Sequence, residues 1–149
     1  MLFTQESDYG LRAALELAAA WGEPPIPAAE LARRGELPAE FARKVLQRLA
    51  RAGVAEARRG RSGGFTLARA PEYVSVRDVV QPLQELAPVR CLARDGDNET
   101  CPVAAIDACA TRRAWQAIDE RVDDALGSLT LADLLLRMRG SLTREVAVG

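Results

Sequence analysis

Residues 38–69 read PAEFARKVLQRLARAGVAEARRGRSGGFTLAR, and this stretch decides the fold. Pro38 suits the first turn of a helix, where its missing N–H is no loss, and the helix is expected to run to about Ala52. Phe41, Val45, Leu46 and Leu49 recur at helical spacing and give one apolar face, with Arg43, Lys44, Gln47, Arg48 and Arg51 largely on the others. Gly53 stands where helices commonly end. A strand is expected at Val54–Ala57, a turn over Arg58–Gly64 and a second strand at Phe65–Leu67. Just upstream, Ala28–Arg34 reads as a short helix, joined to the basic one by a turn at Gly35–Glu36–Leu37. A tight helix pair with a basic, amphipathic second member and a glycine-rich hairpin behind it describes a winged helix-turn-helix. The hairpin glycines permit positive φ and close approach to a phosphate backbone, and its three arginines supply charge. A bland basic hairpin and a solvated helix face are the competing readings.

Outward from this centre, Thr4 can cap a first helix, with Glu6 and Asp8 at its positive end and Leu11, Ala14, Leu15 and Ala18 on its buried side. That helix should end before Gly22 and the Pro24–Pro25–Ile26–Pro27 break. Ser75–Val76–Arg77–Asp78 starts another, burying Val76, Val79, Val80 and Leu83, and Pro82 kinks or ends it. Little apolar periodicity follows from Pro88 to Ala110. Helical spacing returns at Ala114, Trp115, Ile118, Val122, Ala125 and Leu126. A second capping box, Thr130–Asp133, leads into Leu134, Leu135 and Met138, and the tail after Gly140 is expected to be unstructured. The fold class is therefore mostly α with a small β-wing, divided as 1–87, 88–110 and 111–149.

Charge supports one anion-binding surface. Ala28–Arg69 holds ten basic against four acidic residues, whereas Cys91–Gly149 holds seven against ten, in a chain of net charge −1. The absence of histidine removes histidine acid–base catalysis, catalytic triads and Cys/His zinc sites. No nucleophile–base pair, phosphate loop or carboxylate dyad marks an enzyme. No apolar run approaches the roughly 20 residues of a membrane-spanning helix, and the first residues do not form a secretory signal, so a cytoplasmic location is expected. Three cysteines within residues 91–109 then read as metal-binding or redox-active.

Asp8–Tyr9–Gly10–Leu11–Arg12, Arg61–Ser62–Gly63–Gly64–Phe65–Thr66–Leu67–Ala68–Arg69, the downstream cysteines, Thr111–Arg112–Arg113–Ala114–Trp115 and Thr130–Leu131–Ala132–Asp133–Leu134 together carry a resemblance. Over residues 1–138 the chain resembles the iron–sulfur-dependent winged-helix repressor family that includes IscR, NsrR and RirA. The resemblance implies a homodimer held by a long helix at about 111–127, with 1–87 as the DNA-binding domain and 88–110 as a cluster-binding loop. Each subunit would lay its 38–52 helix in a major groove of double-stranded DNA, under control of iron supply, nitric oxide or redox state.

Thiolates are natural iron–sulfur ligands, and Cys91, Cys101 and Cys109 leave a four-ligand cluster one donor short. Their spacing, C-x9-C-x7-C, is wider than in the best-known members, which leaves two-iron and four-iron clusters both open. By resemblance to NsrR-like members, Asp8 of the partner subunit would be the fourth ligand, with Glu6 the second candidate. Read without the family, Asp8 merely stabilises a helix N-terminus, by about 0.3–1 kcal/mol. Zinc, or cysteines that are plain small hydrophobes, are the alternatives at the three thiols. For DNA, Arg43, Lys44 and Gln47 are placed for base edges, and Arg58, Arg59 and Arg61 for phosphates or the minor groove. Arg33, Arg34, Arg48 and Arg51 rank below them as solvated charges. Rival functions are a cluster-free winged-helix regulator and a redox or cluster-carrier protein.

Overall fold

Helix α1 (Gln5–Ala19) begins where the Thr4 hydroxyl accepts the Ser7 N–H at 3.2 Å. The structure is a computed structural model and describes residues 3–84, 92 and 109–146, with side chains of the last helix through Met138. Helices α2 (Ala28–Arg34) and α3 (Ala39–Arg51) follow, with Pro38 as the N-cap of α3 and not its first helical residue. The turn between them closes when Leu37 N–H donates to the Ala32 carbonyl at 2.8 Å. Glu36 there adopts φ 53°, and buried Leu37 anchors the corner. After α3, Gly53 takes φ 72°, the left-handed conformation that favours glycine at a helix end.

Strands β1 (Ala55–Arg58) and β2 (Gly64–Leu67) pair antiparallel with Ala55 opposite Leu67 and Arg58 opposite Gly64. Ile26 adds a third rung, exchanging both backbone hydrogen bonds with Phe65 at 2.9 Å. This changes the reason for the Gly63–Gly64 pair. A Cβ on Gly64 would overlap the Ile26 carbonyl, and one on Gly63 the Arg58 carbonyl, so both glycines serve close packing of the protein's own backbone. Within the hairpin the positive φ falls on Gly60 instead.

The core is the junction of α1 and α3. Ala13, Ala14, Leu17 and Ala18 meet Ala42, Val45, Leu46 and Leu49, while Leu11 and Leu15 lie at the half-buried margin. Phe41 also leaves the expected core: it is 37% exposed and sits edge-on to Tyr9, ring centroids 5.7 Å apart. A short 3-10 turn (Pro71–Tyr73) leads to α4 (Val76–Val80), which buries Val76, Val79 and Val80, with Leu83 buried just beyond.

Helices α5 (Ala110–Ser128) and α6 (Leu131–Val146) complete the described chain. Helix α6 continues past Gly140 where an unstructured tail was expected. No proline follows Gly140, and a single glycine inside a helix costs only about 1 kcal/mol. The two capping boxes lie side by side. Val76 N–H donates to the Leu129 carbonyl at 2.8 Å and Leu131 N–H to the Val74 carbonyl at 2.9 Å, which sets Leu131 fully in the core. Arg77 and Gln81 both reach Asp123 of α5, and the Arg77 guanidinium lies over Gly127.

Gly10 lets α1 approach its neighbours, because a Cβ there would overlap Leu83 and meet Val45. Gly10→Ala is expected to destabilise the fold by about 1–3 kcal/mol through overpacking. Urea unfolding measures it, and an unchanged midpoint would contradict this packing.

Candidate nucleic-acid interface and sensor residues

Whether a basic residue can serve DNA depends first on whether the protein already neutralises it. On α2, Glu30 binds Arg33 at 2.7 Å and Arg34 at 2.8 Å, and the two guanidiniums hold its carboxyl down at about 2. Arg69 stands 3.5 Å from Asp78. On α3, Arg48 donates to Glu6 at 2.7 Å and to the Pro82 carbonyl at 2.6 Å, and Lys44 lies 3.6 Å from the same Glu6 oxygen. Arg43, Arg51, Arg58, Arg59 and Arg61 are exposed and have no acidic partner among the described residues.

This sorting orders the expected DNA residues. Arg43, Gln47 and Arg51 recur every fourth residue and form one exposed stripe along α3, opposite the face packed on α1. Arg51 belongs with that stripe, and its four-residue spacing from Gln47 was the available signal. Lys44 and Arg48 make a neighbouring stripe that leans on Glu6. Arg59 and Arg61 project from the β1–β2 turn. Arg58 stands apart from them: it lines a groove with Trp21, Glu23, Glu56 and Thr66 on the outer side of the hairpin. The stripe and the turn offer guanidiniums and an amide, which suit base edges and phosphates.

Of the residues expected to hold a cluster, Cys91 and Cys101 lie outside the described residues. Cys109 is the N-cap of α5, half-buried, with Sγ 3.1 Å from the Thr111 hydroxyl. The Thr111 hydroxyl and the Arg112 backbone N–H favour the thiolate and lower its pKa. Asp8 lies in the first turn of α1, about half exposed, and pairs with Arg12 at 3.0 Å. No three metal-ligating side chains converge among the described residues. Helix α5 buries none of its nineteen residues, and Trp115 and Ile118 are more than two-fifths exposed on it. Among the described residues no helix is long and apolar enough to cross a membrane.

The profile of the family described as "Rrf2: Iron-dependent Transcriptional regulator" matches residues 3–137. The HTH-type transcriptional repressor NsrR of Streptomyces coelicolor is 38% identical over 142 residues, covering 94% of this chain and 92% of that protein. Protein rrf2 of Nitratidesulfovibrio vulgaris is 35% identical over 136 residues, 91% of this chain and 87% of its own length. Among solved structures, T. potens IscR aligns with a TM-score of 0.71 at 25% identity, over 93% of this chain and 88% of that one. CymR, titled the global cysteine regulator of B. subtilis, aligns at 0.70 with 27% identity, over 90% and 95%. The family description and the name of the Streptomyces relative both specify transcriptional regulation.

The hydrogen bonds at Cys109 make a pH prediction. With Cys91→Ser and Cys101→Ser in place, alkylation of Cys109 should be half-maximal at a pH below that of an unperturbed cysteine peptide. Thr111→Val should move the midpoint upward, because it removes the first of the stabilising donors. A profile that superimposes on the peptide's would refute the assignment.

Proposed function

The chain belongs to the Rrf2 family of transcriptional regulators, and from that premise we propose that it represses transcription as a cytoplasmic homodimer on palindromic double-stranded DNA, under control of an iron–sulfur cluster. The observation that carries the DNA-binding part is the unneutralised Arg43–Gln47–Arg51 stripe beside the exposed arginines of the hairpin turn. Arg43 and Gln47 read base edges, each worth about 1–3 kcal/mol of discrimination. Arg59 and Arg61 hold phosphate or the minor groove and set register. Lys44 is a phosphate contact on the margin of the stripe, and Arg58 an outer one.

Dimerisation is supported by α5, whose exposed Trp115 and Ile118 need a partner face. Two copies of α3 then meet half-sites about 34–36 Å apart, one turn of the duplex. For the cluster, Cys91, Cys101, Cys109 and Asp8 of the partner subunit are the ligands. The donor set fits: three soft thiols, of which Cys109 is biased toward thiolate, and one exposed carboxylate. When bound, a cluster with one carboxylate ligand supplies an exchangeable iron position to a small diffusible molecule such as nitric oxide. The chain's own part is to present Cys109 at the start of α5, so that occupancy of the ligands bears on the helix that spaces the two recognition helices. Two-iron and four-iron forms both suit these residues.

A second reading, a cluster-free regulator of the same fold, is favoured by the likeness to CymR. One preparation separates the two. Protein purified without oxygen is expected to be brown, with iron and sulfide in matched amounts, and to retard an operator fragment selected from genomic DNA. A colourless protein that stays iron-free after reconstitution but binds DNA would favour the cluster-free regulator. On the same fragment, Arg59→Ala should weaken binding to all sequences and make its salt dependence shallower by about two units of slope, one from each subunit. Unchanged affinity at every salt concentration would refute the hairpin's role.

A further inference from the structure

Glu6 lies in the first turn of α1, where the helix dipole favours a carboxylate, and its side chain is only 21% exposed. Two cations of α3 meet one of its oxygens. Arg48 is fixed at both ends of its guanidinium, to Glu6 at 2.7 Å and to the Pro82 carbonyl at 2.6 Å. Lys44, one helical turn earlier, stands 3.6 Å away and is 61% exposed. Both flank the exposed Arg43–Gln47–Arg51 stripe. A phosphate brought to that stripe would offer Lys44 the same chemistry that Glu6 offers it.

We propose that Glu6 is a specificity-determining residue, an internal surrogate for a DNA phosphate that retains Arg48 inside the domain and yields Lys44 to DNA only in competition. The inference rests on the reading of α3 as the recognition helix. Arg48 is then a positioning residue: its two directional bonds tie α3 to α1 and to the turn after α4, and releasing it would strand both Glu6 and the Pro82 carbonyl. Lys44 makes no such second bond among the described residues, so DNA competes for it readily. Sequence-independent affinity grows with each phosphate a protein neutralises. Withholding Arg48 outright, and making DNA compete for Lys44, lowers that affinity while Arg43 and Gln47 keep their base-reading donors, so the margin between operator and other DNA widens.

The test uses the full-length protein and two fluorescein-labelled duplexes, one of mixed sequence and one selected by the wild type from a randomised pool, across a series of KCl concentrations. Glu6→Gln is compared with Glu23→Gln, which makes the same change in charge at a carboxylate without an ion pair among the described residues. Glu6→Gln should raise affinity for the mixed duplex about two- to fivefold, the worth of an exposed ion pair. It should also steepen the salt slope by up to about one unit for each subunit bound and narrow the ratio between the duplexes. Equal effects from the two variants would overturn the proposal, leaving only net charge.

The double variant Glu6→Gln/Arg48→Met removes the half-buried pair without altering net charge, and it decides the matter if the single variant does not melt cooperatively. A gain in affinity for the mixed duplex is expected, since Lys44 is released. A loss of affinity with a shallower slope would identify Arg48 as a phosphate contact and overturn the proposal. Wild-type protein that binds neither duplex overturns the DNA-binding reading as well, and that is seen before any variant is compared.

Discussion

The burial of the apolar face of α3 against α1 is the constraint on which the rest of the structure depends. Small residues on α1, Gly10, Ala13 and Ala14, let the helix axes approach until Val45, Leu46 and Leu49 are sealed from water. Once that face is fixed, the rotation of α3 about its own axis is fixed with it. Arg43, Gln47 and Arg51 must then point outward, and Lys44 and Arg48 must lie along the flank of α1, beside Glu6. The chemistry of the outer surface is thus a result of core packing, reached through the 3.6-residue period of the helix.

Counting charges would have concealed this arrangement. The chain is close to neutral overall, and its basic middle segment spends half of its cations on internal acids. What remains is a short arginine array on one helix and one turn. In the proposed function its value lies in direction: guanidiniums and an amide presented from a rigid helix can meet base edges in register, which a diffuse basic surface cannot do.

Features set by local chemistry were legible in the sequence. Thr4, Ser75–Asp78 and Thr130–Asp133 announced helix starts because a cap and its partners lie within three residues of one another. Apolar spacing located α3 to within one residue, whereas for α5 it marked only Ala114–Leu126 and the resemblance supplied the start. Tertiary choices were not legible. Phe41 has the spacing of a core residue but pairs with Tyr9 at the edge of the packed face. The hairpin glycines suggest positive φ and close approach to a phosphate backbone, whereas the backbone that crowds Gly64 belongs to Ile26, far upstream. The Glu6–Arg48 and Arg77–Asp123 pairs span 42 and 46 residues, and no periodicity or motif signals a contact at such range. Of the expected ligands, only Asp8 and Cys109 fall within the described residues, and they were found by resemblance and by clustering of cysteines.

The joined capping boxes at Ser75 and Thr130 have a mechanical consequence. They clamp the chain immediately after α5, and the Arg77–Asp123 contact grips the same end of that helix. Cys109 sits at the opposite end, nineteen helical residues away, or about 28 Å at 1.5 Å per residue. Helix α5 is therefore a lever with its fulcrum against α4 and its handle at the thiol. A displacement of about 2 Å at the handle corresponds to a tilt of roughly 4° about the fulcrum, by the same helical rise. In the proposed function the anchored end would move little, so that a thiol far from the hairpin arginines turns a rigid arm without loosening the domain that carries them.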